Sequence, residues 1–161
     1  MLAQSYREIM RHQAGAVTVI AAGAAGSRAG LTATAVCSLS DDPPTLLACV
    51  NRKAGAHPVI EAERVFSINL LAADQQAIAD CFSGRTGVKG EARFSLGDWR
   101  TAKTGAPILA GALASLECRI EEQHSFSTHS IFIGRVVDAI VVAQAAPLLY
   151  FRGDYWDLGP R

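Results

Sequence analysis

Residues 112–142 read ALASLECRIEEQHSFSTHSIFIGRVVDAIVV, and this stretch decides the fold class. Residues 112–123 and 128–142 read as two long strands, rich in β-branched and aromatic residues, and residues 147–151 as another. Nothing between them can form a helix. A doubly wound parallel sheet needs a helix between successive strands, so the sheet is antiparallel.

Working toward the N-terminus, residues 30–51 read GLTATAVCSLSDDPPTLLACVN. Residues 30–40 read as one strand, with Thr32, Thr34, Ser38 and Ser40 on one face around Val36. The run Asp41-Asp42-Pro43-Pro44 marks a turn, and residues 45–50 make the next strand. Before them, the β-branched residues 17–20 and the turn GAAGSRAG at 23–30 predict a hairpin with the 30–40 strand. A row of small side chains beside a tight corner has two readings. It is a hairpin with one wet face, or a strand kept bare so that a flat ligand can lie against it.

The remaining elements are short. Residues 2–12 read as an amphipathic helix through Leu2, Tyr6, Ile9 and Met10, and residues 56–63 as a helix with Pro58 in its first turn. Residues 65–70 read as a strand. Residues 73–82 read as a helix in which Ile78 and Phe82 stack at i, i+4. The Gly-rich run SGRTGVKGEARFSLGDW at 83–99 has little periodicity and reads as a functional loop. Residues 152–158 read as irregular. Together these predict a mainly β chain with short helices, an antiparallel barrel or sandwich forming one domain over residues 1–161.

Fifteen basic residues balance fifteen acidic ones, so no net field steers the chain toward nucleic acid or an anionic membrane. Half the residues are apolar and 19% are charged, a balance that predicts further burial in an oligomer. Charges from Arg7 onward exclude a signal-peptide pattern in the first residues, and the apolar-rich stretch 131–146 is too short to span a bilayer. Cys37, Cys49, Cys81 and Cys118 lack CxxC spacing and read as buried free thiols in a reducing cytoplasm, with no metal site.

No GxSxG elbow accompanies His12, His57, His124 or His129, and Gly23, Gly26 and Gly30 do not have GxGxxG spacing. Strand alternation puts His129 on one face with Ile131 and Ile133, and Gly134 marks a bulge or a close backbone approach. Asn51-Arg52-Lys53-Ala54-Gly55 brings two cations and a glycine to a helix N-terminus, a plausible anion site. Arg85 is a second cation of the same kind.

The fragments GLTATAVCSLSDDPPTLLACVN, CFSGRTGVKGEARF, GAPILAGALASLECRI, THSIFIGRV and PLLYFRGDYW, in that order, resemble the short-chain flavin reductases. The nearest group is the reductase component of 4-hydroxyphenylacetate 3-monooxygenase. The resemblance implies an antiparallel Greek-key split β-barrel (the FMN-binding split barrel), usually a homodimer, that binds FAD or FMN and oxidises NADH or NADPH. It implies that reduced flavin goes to a flavin-dependent oxygenase component. On this resemblance Thr32, Ala33, Thr34, Ala35, Val36, Ser38 and Ser40 lie along the flavin ring and ribityl chain. Asn51, Lys53, Ala54, Phe82, Ser83 and Arg85 approach its phosphate, and His129, Tyr155 and Trp156 lie on the NADH side. Relatives often carry a hydroxyl near Ala54 and Gly-Asp before the histidine, where this chain has Ser127-Thr128. No catalytic acid or base is expected, because hydride transfer needs only stacked rings. A flavin-binding protein without turnover is the alternative.

Overall fold

The computed structural model describes residues 1–141 and 145–159. The first half runs α1 (Ala3–Met10), β1 (Gly15–Ala16), β2 (Thr18–Ala22), β3 (Ala29–Ala33), β4 (Val36–Asp41), β5 (Pro44–Asn51), α2 (Ala56–Glu63) and β6 (Val65–Leu70). The second half runs α3 (Gln76–Ser83), β7 (Trp99–Thr101), β8 (Pro107–Leu109), β9 (Ala114–Phe126), β10 (His129–Val141), β11 (Leu149–Phe151) and β12 (Asp154–Trp156). Short 3₁₀ turns lie at Ala73–Gln75 and Gly90–Ser95. The last residue of the strand expected at 128–142 lies outside the described residues.

Seven strands form one antiparallel sheet in the order β3-β2-β6-β9-β10-β5-β4. Its two edges, β3 and β4, are consecutive in the chain and joined only by Thr34 and Ala35. Three Cα–Cα steps of about 3.8 Å bring those edges within about 11 Å of each other. In a flat sheet, six strand spacings of about 4.8 Å would hold them roughly 29 Å apart. The sheet therefore curls into a barrel, closed at β3–β4 by the chain itself rather than by a ladder. This corrects the expectation of one strand over 30–40. A local pattern of alternating small residues cannot show that its two halves pair with different neighbours.

Two bulges in β9–β10, at Ile133/Gly134 and Val136/Asp138, bend these long strands. Gly134 also meets the close approach expected of it, since a Cβ there would lie 2.7 Å from the Phe66 ring. Inside the barrel Ile20, Leu46, Val50, Ile68, Cys118 and Phe132 pack with Phe66, and Ile60 of α2 joins them. A second cluster forms on the other side of β2, where Val19 and Ala21 meet Phe82 of α3, Phe94 and Leu109. All of β2 is buried: four apolar residues follow Thr18, whose hydroxyl donates to the Ala33 carbonyl at 2.8 Å. Ile78 and Phe82 carry the buried face of α3, and Gly84, at φ 88°, ends that helix in the left-handed conformation.

Three local expectations need correction. The tail is not irregular: β12 folds back on β11, with Tyr155 opposite Tyr150. Cys37 is exposed and Cys49 half-buried, because β4 is an edge strand, while Cys81 and Cys118 are buried. Helix α1 buries no residue, so its apolar side lies open.

Candidate functional site

Three clefts of about 550, 200 and 360 Å³ lie end to end along residues 29–37, sharing Thr32 and Ser83 at one junction and Thr34 at the next. At roughly 3.3 Å per residue this floor is about 26 Å long. Leu31 is its only large side chain before Val36. The small residues from Gly30 to Ala35 thus face a continuous groove at the seam of the barrel. The groove is the candidate site.

The hydroxyls are less bare than expected. Thr32 donates its hydroxyl to the Ala79 carbonyl of α3 at 2.7 Å, while Thr34 is exposed. Ser38 and Ser40 line none of the three clefts, because β4 has by then turned into its hairpin with β5. The backbone contributes instead. Thr34 and Ala35 belong to neither strand, and among the described residues their N–H groups have no backbone acceptor. They remain available to a ligand.

One wall of the 550 Å³ cleft is the turn after β5. Asn51 accepts from the Lys53 N–H through its side chain and from the Ala54 N–H through its carbonyl, each at 2.9 Å. Lys53, Ala54, Gly55 and Ala56 then line the cleft, and α2 begins with no side-chain cap. The His57 N–H donates back to the Ala54 carbonyl at 3.0 Å and Pro58 has no N–H, so the Gly55 and Ala56 N–H groups are those left for solvent or an anion. The two cations of this turn separate. Arg52 donates to the Ser127 carbonyl at 3.4 Å, beside the β9–β10 turn, so only Lys53 serves the groove.

The facing wall is the Gly-rich excursion, which contributes Lys89, Gly90 and Arg93. Glu91 binds Arg28 twice, accepting from its N–H at 2.6 Å and its Nε at 2.7 Å. The hydrogen-bonded Arg28 guanidinium holds the Glu91 carboxyl below its ordinary range. Arg93 donates to three carbonyls, Val88 at 2.9 Å and Gly30 and Phe82 at 3.1 Å. None of Lys89, Glu91 and Arg93 was singled out from sequence. The available signal was a run of charges inside a loop otherwise made of small residues.

The middle cleft is closed by Arg85, Tyr150 and Tyr155 beside Thr34. Arg85 does not stand free as a phosphate ligand: its Nη1 is 3.0 Å from Asp80 and its guanidinium lies 5.0 Å from the Tyr155 ring centre. Burial pushes the Tyr155 phenol up. Alternation along β12 turns Trp156 away from the groove, where its Nε1 donates to the Phe151 carbonyl at 3.0 Å. Phe82 and Ser83 meet the groove where α3 ends.

His129 opens β10 opposite Asn51 and Phe126 and lines none of the three clefts. Its imidazole is exposed and sits 2.8 Å from the Thr128 hydroxyl, so it is not the unpaired ring expected from strand alternation. A second histidine, His57, has Ser130 Oγ at 2.8 Å and Glu61 at 3.6 Å, but Ser130 is fully buried and cannot meet a substrate.

Residues 10–159 match the model of the family described as "Flavin reductase like domain". The chain belongs to that family. It is 45% identical over 150 residues to the FMN reductase (NADH) RutF of Agrobacterium fabrum, covering 93% of this chain and 85% of the relative. It is 41% identical over 152 residues to the 4-hydroxyphenylacetate 3-monooxygenase reductase component of Pseudomonas aeruginosa, covering 94% and 89%. Among solved structures, BorF, the flavin reductase component of a bacterial two-component tryptophan halogenase, superposes with a TM-score of 0.90 at 34% identity, covering 99% of this chain and all of that one. Flavin reductase membership accounts for a site without an acid–base pair. Among the described residues the groove joins a floor of small side chains to Lys53 near one end.

Proposed function

We propose that the protein oxidises NADH and passes the hydride to FAD or FMN, supplying reduced flavin to a partner flavin-dependent oxygenase. The observation that carries this reading is the groove: small side chains, free backbone N–H groups and an uncapped helix start, in a flavin reductase chain. The flavin ring lies over Thr32 to Val36, and its phosphate lies toward Lys53 and the start of α2. Bound flavin supplies N5 as the hydride acceptor. The chain holds the two rings face to face and directs the Thr34 and Ala35 amides toward the side of the ring where negative charge grows. Arg85, fixed by Asp80, and Tyr155 close the nicotinamide side.

The test is NADH absorbance after adding FAD or FMN to the purified protein. Catalytic loss of NADH with either flavin is expected. Flavin binding without NADH oxidation would leave only a flavin carrier.

The protein is further read as a homodimer. It exposes 9010 Å², against about 7,700 Å² for a monomer of 17.0 kDa by the usual scaling of area with mass. Leu2 just before α1, Tyr6, Ile9 and Met10 on it, and Leu39 on β4 are among the exposed apolar residues. A partner covering α1 and the outer side of β4–β5 would remove them from water. Sedimentation at micromolar concentration should give twice the chain mass. A monomer there would overturn the assignment. Four free cysteines, one of them exposed, suit a reducing cytoplasm. No described helix is long and apolar enough to cross a membrane.

A further inference from the structure

We infer that Lys89 makes this chain favour a flavin carrying a second phosphate and an adenylate, so that FAD is preferred to FMN. The inference rests on the flavin reading above and specifies its substrate. The cleft between Lys53 and Lys89, about 550 Å³, has the volume of about eighteen waters at roughly 30 Å³ each. A ribityl phosphate, with about thirteen heavy atoms at bonded separations, leaves part of that space unfilled. One phosphate is already answered on the near wall, by Lys53 and the uncapped start of α2.

Lys89 stands on the opposite wall. Among the described residues no carboxylate lies within ion-pair distance of it. Glu91 is committed to Arg28, Asp80 to Arg85 and Asp98 to Arg100. The wall itself is held by Arg28–Glu91 and by the three carbonyls on Arg93, so Lys89 is carried at the cleft by an ordered frame. Cations on facing walls, with room between them, suit two phosphates in series, and an adenylate continues past the second.

The experiment compares FAD, FMN and riboflavin on the unsubstituted protein, Lys89→Ala and Lys89→Arg. KM comes from NADH oxidation, and Kd comes from quenching of flavin fluorescence without NADH. For Lys89→Ala both constants for FAD should rise about tenfold, the scale of one charge-assisted contact. FMN should stay within about twofold, riboflavin and kcat should not change, and Lys89→Arg should restore FAD. Equal losses for FAD and FMN would overturn the inference, since Lys89 would then read the phosphate that both carry. Unchanged FAD constants would overturn it as well. Failure of the unsubstituted protein to oxidise NADH with any flavin, riboflavin included, would instead remove the reading beneath it.

Discussion

The two walls of the groove are built by opposite means. The Asn51–Ala56 wall is local: a side-chain oxygen two residues back, a turn, and a helix that starts at once. The excursion wall is assembled over distance, since Arg28 meets Glu91, and Arg93 meets Gly30, across 63 positions of the chain. Backbone turns respond little to salt or acid, whereas ion pairs respond to both. One groove therefore has a wall set by chain geometry and a wall set by charge.

The comparison is broken most directly at Arg93, whose guanidinium serves three carbonyls. Arg93→Ala should cost about 2 kcal/mol in denaturant unfolding, because donors to three acceptors are lost at once. Hydrogen exchange should show residues 84–97 losing protection while α2 and β5 keep theirs. Equal loss on both walls would mean that they form one cooperative unit, and the contrast would fail.

The local wall is probed at Lys53, where the expected effect falls on the ligand and not on the fold. Lys53→Ala should weaken FAD and FMN binding by about 1–1.5 kcal/mol and leave riboflavin unchanged. Stability should change by less than about 0.5 kcal/mol, as for other exposed positions without a structural bond. Riboflavin titrated beside FMN decides the matter. A matching loss for riboflavin would make Lys53 a structural residue.

The same contrast explains what could be read from sequence. Helix α2 and strand β6 were expected at 56–63 and 65–70 and occur over those residues, because periodicity and Pro58 in the first turn are local signals. The antiparallel β class was also legible through strands with no helix between them, and the split barrel through the family resemblance; the small residues from Gly30 to Ala35 do line a groove. The break at Thr34-Ala35 was not, since neither Gly nor Pro marks it and only pairing with β2 on one side and β5 on the other reveals it. Nor was the divergence of Arg52 from Lys53, which depends on where the β9–β10 turn comes to lie. Thr32 was read as a bare hydroxyl because its acceptor, the Ala79 carbonyl, reaches it only after α3 packs on the barrel. Turn chemistry travels with the sequence, whereas partners dozens of residues away are fixed by topology.

The smallest effect expected is the acid response of the excursion wall. Glu91 has its carboxyl lowered by the hydrogen bond from Arg28, so the folded state binds its proton less readily than the unfolded chain does. The contribution of this pair is therefore complete above the ordinary glutamate value of about 4.3 and fades as pH falls through the lower folded value. About a third of the Glu91 side chain is exposed, and screening by solvent limits the effect to a few tenths of a kcal/mol. The local readout is Trp99, whose ring centre lies 4.9 Å from that of Phe94 and whose indole N–H donates to the Leu96 carbonyl at 2.8 Å, at the end of the same wall. Its fluorescence should shift as pH falls from about 5 toward 3, before the far-UV signal of the barrel changes. Glu91→Gln should move that step or remove it, and added salt should blunt it in the unsubstituted protein. A Trp99 transition that coincides with global unfolding in both proteins would show that charge does not set this wall apart from its neighbour.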